Sequence, residues 1–98
     1  MDDMNLLIIM DDEHNKKVLG YNGHKMVKTP HLDKLATGSI RFNNAYSSSP
    51  LCVPARAAFA TGRYVHETKC WDNAIAYDGK IPSWAHILRD AGHTVTSI

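Results

Sequence analysis

Apolar residues occur in short runs along this chain, and the spacing within each run indicates an element. Residues 5–10 form an apolar segment, unbroken from Leu6 to Met10, which is typical of a strand buried on both faces of a parallel sheet. The segment 39–46 carries Ile40 and Phe42 in alternation with polar residues, and residues 94–98 are mostly β-branched. Both segments are therefore further candidate strands.

The other apolar residues are spaced as in helices, and each predicted helix has a proline at its start and a glycine at its end. The first has Thr29 as N-cap, Pro30 in its first turn and Gly38 as its stop. The second begins at Pro54 and is closed by Gly62, and the third follows Pro82 and ends at Gly92. The stripes at helical spacing are Leu32, Leu35 and Ala36 in the first helix, and Trp84, Ile87, Leu88 and Ala91 in the third.

This order of strands and helices predicts an α/β fold with a parallel sheet. The chain has 98 residues, and we expect a parallel sheet to be covered on both faces. The few predicted elements provide little material for such cover, and no linker or internal repeat divides them. We therefore expect residues 1–98 to be the N-terminal part of a longer domain.

Composition excludes some functions. The net charge is +1 and the chain has no basic block, so nothing favours nucleic acid or a membrane surface as partner. The apolar run at 5–10 is too short to cross a bilayer and follows Asp2 and Asp3 instead of basic residues. We therefore expect a cytoplasmic protein. There, Cys52 and Cys70 are expected to be free thiols, although a disulfide between them is possible in principle.

Cys52 is the first candidate for chemistry. It precedes the helix predicted from Pro54, so unpaired amides and the positive end of the helix dipole would face it. Arg56, four residues later, adds a charged fork of donors suited to an oxyanion. The alternative is that Cys52 is a small apolar residue that merely opens a helix.

Two further groups of polar residues are candidates. Asp11, Asp12 and Glu13 follow the first predicted strand, where α/β sheets place ligands, and either bind a divalent cation or form a solvated acidic turn. Asn73 lies in a loop, where asparagine is usually a turn former. His66 follows the second helix and is either close to the site or on a surface loop.

The spacing Cys52-x-Pro-Ala-Arg56, followed after four residues by Thr61-Gly62, resembles the sulfatase signature, whose cysteine is oxidised to formylglycine. Residues 29–35 and 42–46 are also typical of sulfatase N-terminal regions. The resemblance implies an alkaline-phosphatase-like sandwich with a mostly parallel sheet flanked by helices. Residues 1–98 would form the N-terminal portion of this catalytic domain, and the other metal ligands and the general acid would lie beyond it.

The same resemblance assigns the site residues. Cys52, as formylglycine, is the nucleophile and contacts the metal, and Arg56 holds the attacking hydroxyl. Asp12 and Glu13 fall on the family's metal ligands, with Asp11 as a weaker candidate. The metal is expected to be Ca²⁺, with Mg²⁺ or Mn²⁺ as alternatives. Asn73 falls where choline-sulfatase-like enzymes and phosphonate monoester hydrolases place an asparagine that donates to a substrate oxygen.

The resemblance implies hydrolysis of a small-molecule sulfate ester, after a formylglycine-generating maturation enzyme has acted on Cys52. A phosphonate monoester hydrolase or phosphodiesterase with the same nucleophile is the first alternative, because sulfate and phosphate groups share a tetrahedral shape. A non-catalytic truncated fragment is the second. We expect the 98-residue chain alone to be inactive.

Overall fold

The computed structural model of the protein describes residues 4–98. These residues form four helices, α1 (Pro30–Thr37), α2 (Cys52–Thr61), α3 (Val65–Thr68) and α4 (Trp84–Asp90), together with a 3₁₀ turn at Gly20–Asn22. Within the described residues no helix has both the length and the apolar character needed to cross a membrane. The chain divides into two compact units, Met1–Asn43 and Asn44–Ile98, which are described separately below.

In the first unit, hydrogen bonds to the carboxylate of Asp33 connect the 3₁₀ turn to the start of α1. Its Oδ1 accepts hydrogen bonds from the Tyr21 amide at 2.9 Å and from the Thr29 hydroxyl at 2.7 Å. The same hydroxyl accepts from the Gly20 amide at 2.8 Å. Helix α1 matches the prediction at both ends, but Thr29 uses its side chain to hold the preceding loop and not to cap the helix.

The close approach of Gly20 to Asp33 leads to a stability prediction. A Cβ atom on Gly20 would lie 2.3 Å from Asp33 Oδ2, so Gly20→Ala must displace this carboxylate and weaken its hydrogen bonds. We expect the free energy of unfolding, measured by urea denaturation, to fall by about 1–3 kcal/mol. Gly38→Ala is the matched control, because a Cβ atom there meets nothing within 4 Å. Equal stability of the two variants would contradict the prediction.

In the second unit, α2 packs against both α3 and α4. The rings of Phe59 and Trp84 meet edge to face, with centroids 6.4 Å apart, and join α2 to α4. Small residues on α2 allow this close packing. The buried residues of the unit are Pro54, Ala57, Ala58, Thr68 and Cys70.

Helix α2 begins two residues earlier than predicted. Leu51 is its N-cap and Cys52 its first residue, so Pro54 occupies the third position. Proline is tolerated there because the first amides of a helix have no intrahelical acceptor in any case. Gly62 ends the helix as predicted, in the left-handed conformation at φ 66°.

Helix α4 ends in a Schellman motif around Gly92. The Gly92 amide donates to the Arg89 carbonyl and the His93 amide to the Leu88 carbonyl, both at 3.0 Å. Gly92 has φ 91°, which favours glycine. The predicted end of this helix is therefore confirmed, with Ala91 as the C-cap and Gly92 directly after it.

Helix α3 lies in a segment for which the sequence analysis predicts no helix. Its first turn is held by Glu67, whose Oε2 accepts from the Tyr64 amide at 2.9 Å. This hydrogen bond is the main reason that the pKa of Glu67 lies below its usual value, and the nearby Arg63 lowers that pKa further. A glutamate three residues after the N-cap is the signal that could have predicted α3.

The strands predicted at 5–10, 39–46 and 94–98 are not formed, since no residue of 4–98 is in a β-strand. A strand exists only when a neighbouring strand accepts and donates its hydrogen bonds, and these segments do not pair. The apolar side chains of the first segment are accordingly exposed, with Leu7 at 82% and Ile9 at 83% of full exposure. The parallel sheet of the predicted fold is thus not part of the described structure.

Candidate active site around Cys52

Cys52 opens α2 after a loop that is fixed by its own serines. The Ser47 hydroxyl donates to the Ser49 carbonyl at 2.8 Å, and the Ser49 hydroxyl accepts from the Leu51 amide at 3.2 Å. The Cys52 side chain is a half-buried free thiol, and Cys70 is likewise free. The nucleophile candidate therefore has a defined position and remains accessible.

Asn73 lies at the same end of α2. Its Oδ1 accepts from the Val53 amide at 3.0 Å, although 20 residues separate the two in sequence. This bond satisfies one of the amides that a helix leaves unpaired in its first turn. Because Oδ1 is the acceptor here, the Nδ2 group of Asn73 is its donor end. Of the predicted site residues, Cys52 and Asn73 are thus brought to one helix terminus.

The expectation that several unpaired amides face Cys52 needs correction. Pro54 has no amide hydrogen, Asn73 occupies the Val53 amide, and the Ala55 amide donates to the Leu51 carbonyl at 3.0 Å. The helix terminus is therefore largely satisfied from within the unit. The first-turn amides at 53–55 are therefore not a ready anion site by themselves.

Arg56 is the cationic side chain nearest to Cys52 in the helix. It follows Cys52 by four residues in α2, which places both side chains on one face of the helix. Arg56 is exposed. Its guanidinium group, with five N–H donors, suits a tetrahedral oxyanion bound beside Cys52.

The loop that carries Asn73 is held by two residues that the sequence analysis missed. Oδ1 of Asp72 accepts from the Ala74 amide at 2.7 Å and from the Ile75 amide at 3.1 Å. The thiol of Cys70, which is 1% exposed, donates to the Ile75 carbonyl at 3.2 Å. An aspartate followed by a short turn is the signal that could have predicted the first of these contacts.

The acidic segment belongs to the first unit. The Asp11 carboxylate contacts Nδ1 of His14, whose Nε2 donates to the Val18 carbonyl at 2.9 Å. The hydrogen bond to Val18, and after it the one to Asp11, raises the pKa of His14. Asp12 and Glu13 lie exposed in a turn, where Glu13 has a left-handed backbone at φ 57°. Such a conformation is strained for a residue other than glycine.

The donor chemistry of this segment suits a hard divalent cation, since all three side chains offer carboxylate oxygens. The carboxylate of Asp11 pairs with His14. No three His, Cys, Asp or Glu side chains among residues 4–98 are grouped to hold a metal ion. Asp12 and Glu13 can thus supply only part of a coordination shell, and further ligands are required.

The candidate His66 and the later Lys80 both have surface positions. His66 is exposed on α3 and stacks on Tyr64 with ring centroids 5.8 Å apart. Lys80, in the Gly-Lys pair of a surface turn, forms an ion pair with Asp78 at 2.8 Å. The structure gives neither residue a contact with Cys52 or Asn73.

Comparisons with known proteins show the family of the chain. The Sulfatase family model matches residues 4–98. A choline-sulfatase of Rhizobium meliloti is 46% identical over 89 residues, and an N-acetylglucosamine-6-O-sulfatase of Bacteroides thetaiotaomicron is 32% identical over 94 residues. These matches cover 91% and 96% of the chain, which spans only 17% of each relative's length. No solved structure matches the chain.

Proposed function

The chain belongs to the sulfatase family, and we propose that the protein that carries it hydrolyses sulfate esters with a nucleophile made from Cys52. Family membership implies an alkaline-phosphatase-like fold, and we propose that the apolar segment at 5–10 forms a sheet strand in that complete domain. The observation that carries the proposal is the bond from the Val53 amide to Asn73, which brings a substrate-binding candidate to the helix of Cys52 and Arg56.

The proposed nucleophile is formylglycine, made from Cys52 by a maturation enzyme. A thiol suits this reaction poorly, because a sulfuryl group bound to sulfur has no easy route of release. One hydroxyl of the hydrated aldehyde attacks the ester's sulfur atom, and the S–O bond to the alcohol breaks, so that the alcohol leaves. Deprotonation of the second hydroxyl then expels sulfate and regenerates the aldehyde, which water hydrates again. The half-buried position of Cys52 at the start of α2 supports access for both the maturation enzyme and the substrate.

Arg56 and Asn73 then act on the charged groups at this helix end. The Arg56 guanidinium holds the attacking hydroxyl and offsets the negative charge that develops on the sulfuryl oxygens. Asn73 donates from Nδ2 to one of these oxygens. Its Oδ1 is held by the Val53 amide, so the amide plane is fixed before the substrate binds.

We propose that Asp12 and Glu13, with Asp11 as the weaker third candidate, help to hold a divalent metal, with Ca²⁺ preferred and Mg²⁺ or Mn²⁺ as alternatives. The bound cation would supply Lewis-acid stabilisation of the sulfate oxygens and of the ionised hydroxyl. The exposed carboxylates and the strained backbone of Glu13 support this assignment. The chain's own contribution is to present carboxylate oxygens directly after the apolar segment.

Removal of the metal tests this assignment. We expect a chelator to abolish hydrolysis and Ca²⁺ to restore it.

Asp12→Asn should lower metal content and reduce kcat/KM by about 100-fold or more. Asp11→Asn should cost less, because the family resemblance makes Asp11 the weaker candidate ligand. Metal content by elemental mass spectrometry and initial rates are the measurements, with the α4 variant Asp90→Asn as control. Full metal content in Asp12→Asn would contradict the assignment.

Paired substrates test the reaction itself. The matured protein should hydrolyse an aryl sulfate and choline sulfate faster than the matching aryl phosphonate. The similarity to a choline-sulfatase supports the second substrate. A clear preference for the phosphonate would overturn the proposal in favour of a phosphonate monoester hydrolase, since both groups are tetrahedral anions that Arg56 could bind.

A further inference from the structure

Asp72 has a role that the family resemblance does not assign. We propose that Asp72 is a positioning residue that acts through Asn73: it fixes the turn from which Asn73 reaches both the first turn of α2 and the substrate. The inference rests on the proposed function only for the substrate contact. The contact between Asn73 and α2 is independent of it.

The carboxylate of Asp72 closes the turn that contains Asn73 by hydrogen bonds. Its Oδ1 accepts from both residues that follow Asn73, from Ala74 at 2.7 Å and from Ile75 at 3.1 Å. The backbone bond that would otherwise close this turn, from the Ile75 amide to the Asp72 carbonyl, is long at 3.4 Å. The carboxylate of Asp72 therefore closes the turn more tightly than the backbone does.

The far end of the turn is anchored in the interior of the unit. The Cys70 thiol donates to the Ile75 carbonyl at 3.2 Å, and the Cys70 amide donates to the Thr68 hydroxyl at 3.4 Å. Both Cys70 and Thr68 are buried. Asn73 thus projects from a turn whose two ends are held, one by a carboxylate and the other by a buried thiol.

This arrangement links Asp72 to the nucleophile. If the turn loosens, Oδ1 of Asn73 leaves the Val53 amide, and that amide lies directly after Cys52. The donor end of Asn73 then loses its fixed direction, which must be restored each time a substrate binds. Asp72 itself contacts no substrate in this proposal, since both its described bonds are to the backbone of its own loop.

Hydrogen exchange tests the positioning without any need for activity. In the full-length protein, Asp72→Ala and Asn73→Ala should each raise the exchange rate of the Val53 amide by about 10-fold, the loss of one hydrogen bond. Asp72→Asn should leave that rate close to wild type, because an asparagine oxygen still accepts from Ala74 and Ile75. The Tyr64 amide, held by Glu67 in the same unit, is the internal control. Unchanged exchange at Val53 in Asp72→Ala overturns the proposal.

Kinetics of the matured protein test whether Asp72 acts through Asn73. We expect Asn73→Ala to lower kcat/KM by about 100-fold and Asp72→Ala by about 10-fold. The double variant should be no worse than Asn73→Ala, because Asp72 then has nothing left to position. Multiplied losses in the double variant would overturn the proposal. If the wild type hydrolyses no sulfate ester, the proposed function fails, and the exchange at Val53 decides the positioning role alone.

Discussion

Replacement of Cys52 by alanine is expected to abolish sulfate ester hydrolysis, with kcat lower by about 10⁴-fold or more. Alanine cannot be oxidised to an aldehyde, so the enzyme loses the group that attacks sulfur and later releases sulfate. The fold should be retained, because alanine is favoured in helices and position 52 is the first residue of α2. Initial rates with an aryl sulfate, together with circular dichroism, measure both effects.

The second cysteine provides the control for this experiment. Cys70→Ser keeps a donor for the Ile75 carbonyl, and Cys70 has no part in the proposed covalent chemistry. We expect this variant to retain the aldehyde at position 52 and measurable turnover. The role of Cys52 would be contradicted if Cys52→Ala kept more than a small fraction of wild-type kcat.

Arg56→Lys is expected to lower kcat by about 100-fold, even though the positive charge is kept. A lysine offers one ammonium group on a flexible chain, whereas the guanidinium presents several donors in a plane. The planar group holds the attacking hydroxyl and a sulfuryl oxygen with two donors in a fixed geometry, which an ammonium group does not offer. The measurement is kcat at saturating substrate, with KM determined separately to distinguish transition-state stabilisation from simple substrate binding.

Arg63→Lys is the matched control, since it makes the same substitution in the same unit. Arg63 forms an exposed ion pair with Glu67 at 3.3 Å at the start of α3, away from the proposed chemistry. Such surface pairs contribute little to stability. We therefore expect near wild-type turnover from this variant. If Arg56→Lys had no larger effect than Arg63→Lys, the proposed role of Arg56 would be wrong.

The helices could be predicted from the sequence because their signals are local. Pro30 and Gly38 enclose α1, and Gly62 ends α2 in a left-handed conformation that only glycine adopts without strain. Helix α2 begins two residues before its predicted start at Pro54, because proline is tolerated at any of the first positions of a helix. Helix α3 was missed, since its signal is one glutamate that accepts from the Tyr64 amide.

The strands could not be predicted in the same way, because the pairing of one strand with another is not a local property of the sequence. The apolar run at 5–10 indicates that the segment prefers to be buried, but a strand also needs a partner that offers its own hydrogen bonds. The described residues provide no such partner, and the apolar side chains of the segment are exposed. The sheet remains a prediction for the complete domain.

The site was predictable in part. The spacing of Cys52 and Arg56 follows from one helix, so the sequence contains it directly. Asn73 was selected only by resemblance, and its bond to the Val53 amide joins residues 20 positions apart, which no local pattern reveals. The hydrogen bond from the Cys70 thiol to the Ile75 carbonyl likewise has no local signal, whereas an aspartate before a short turn is a local signal for the bonds of Asp72.

The chemical state of residue 52 tests the central claim most directly. The full-length protein, produced together with a formylglycine-generating enzyme, is digested with trypsin, and the peptide of residues 42–56 is analysed by mass spectrometry. We predict an aldehyde at position 52, which reacts with a hydrazide and resists alkylation by iodoacetamide. A peptide recovered entirely as the alkylated Cys52 thiol would contradict the proposal that this protein is a formylglycine-dependent sulfatase.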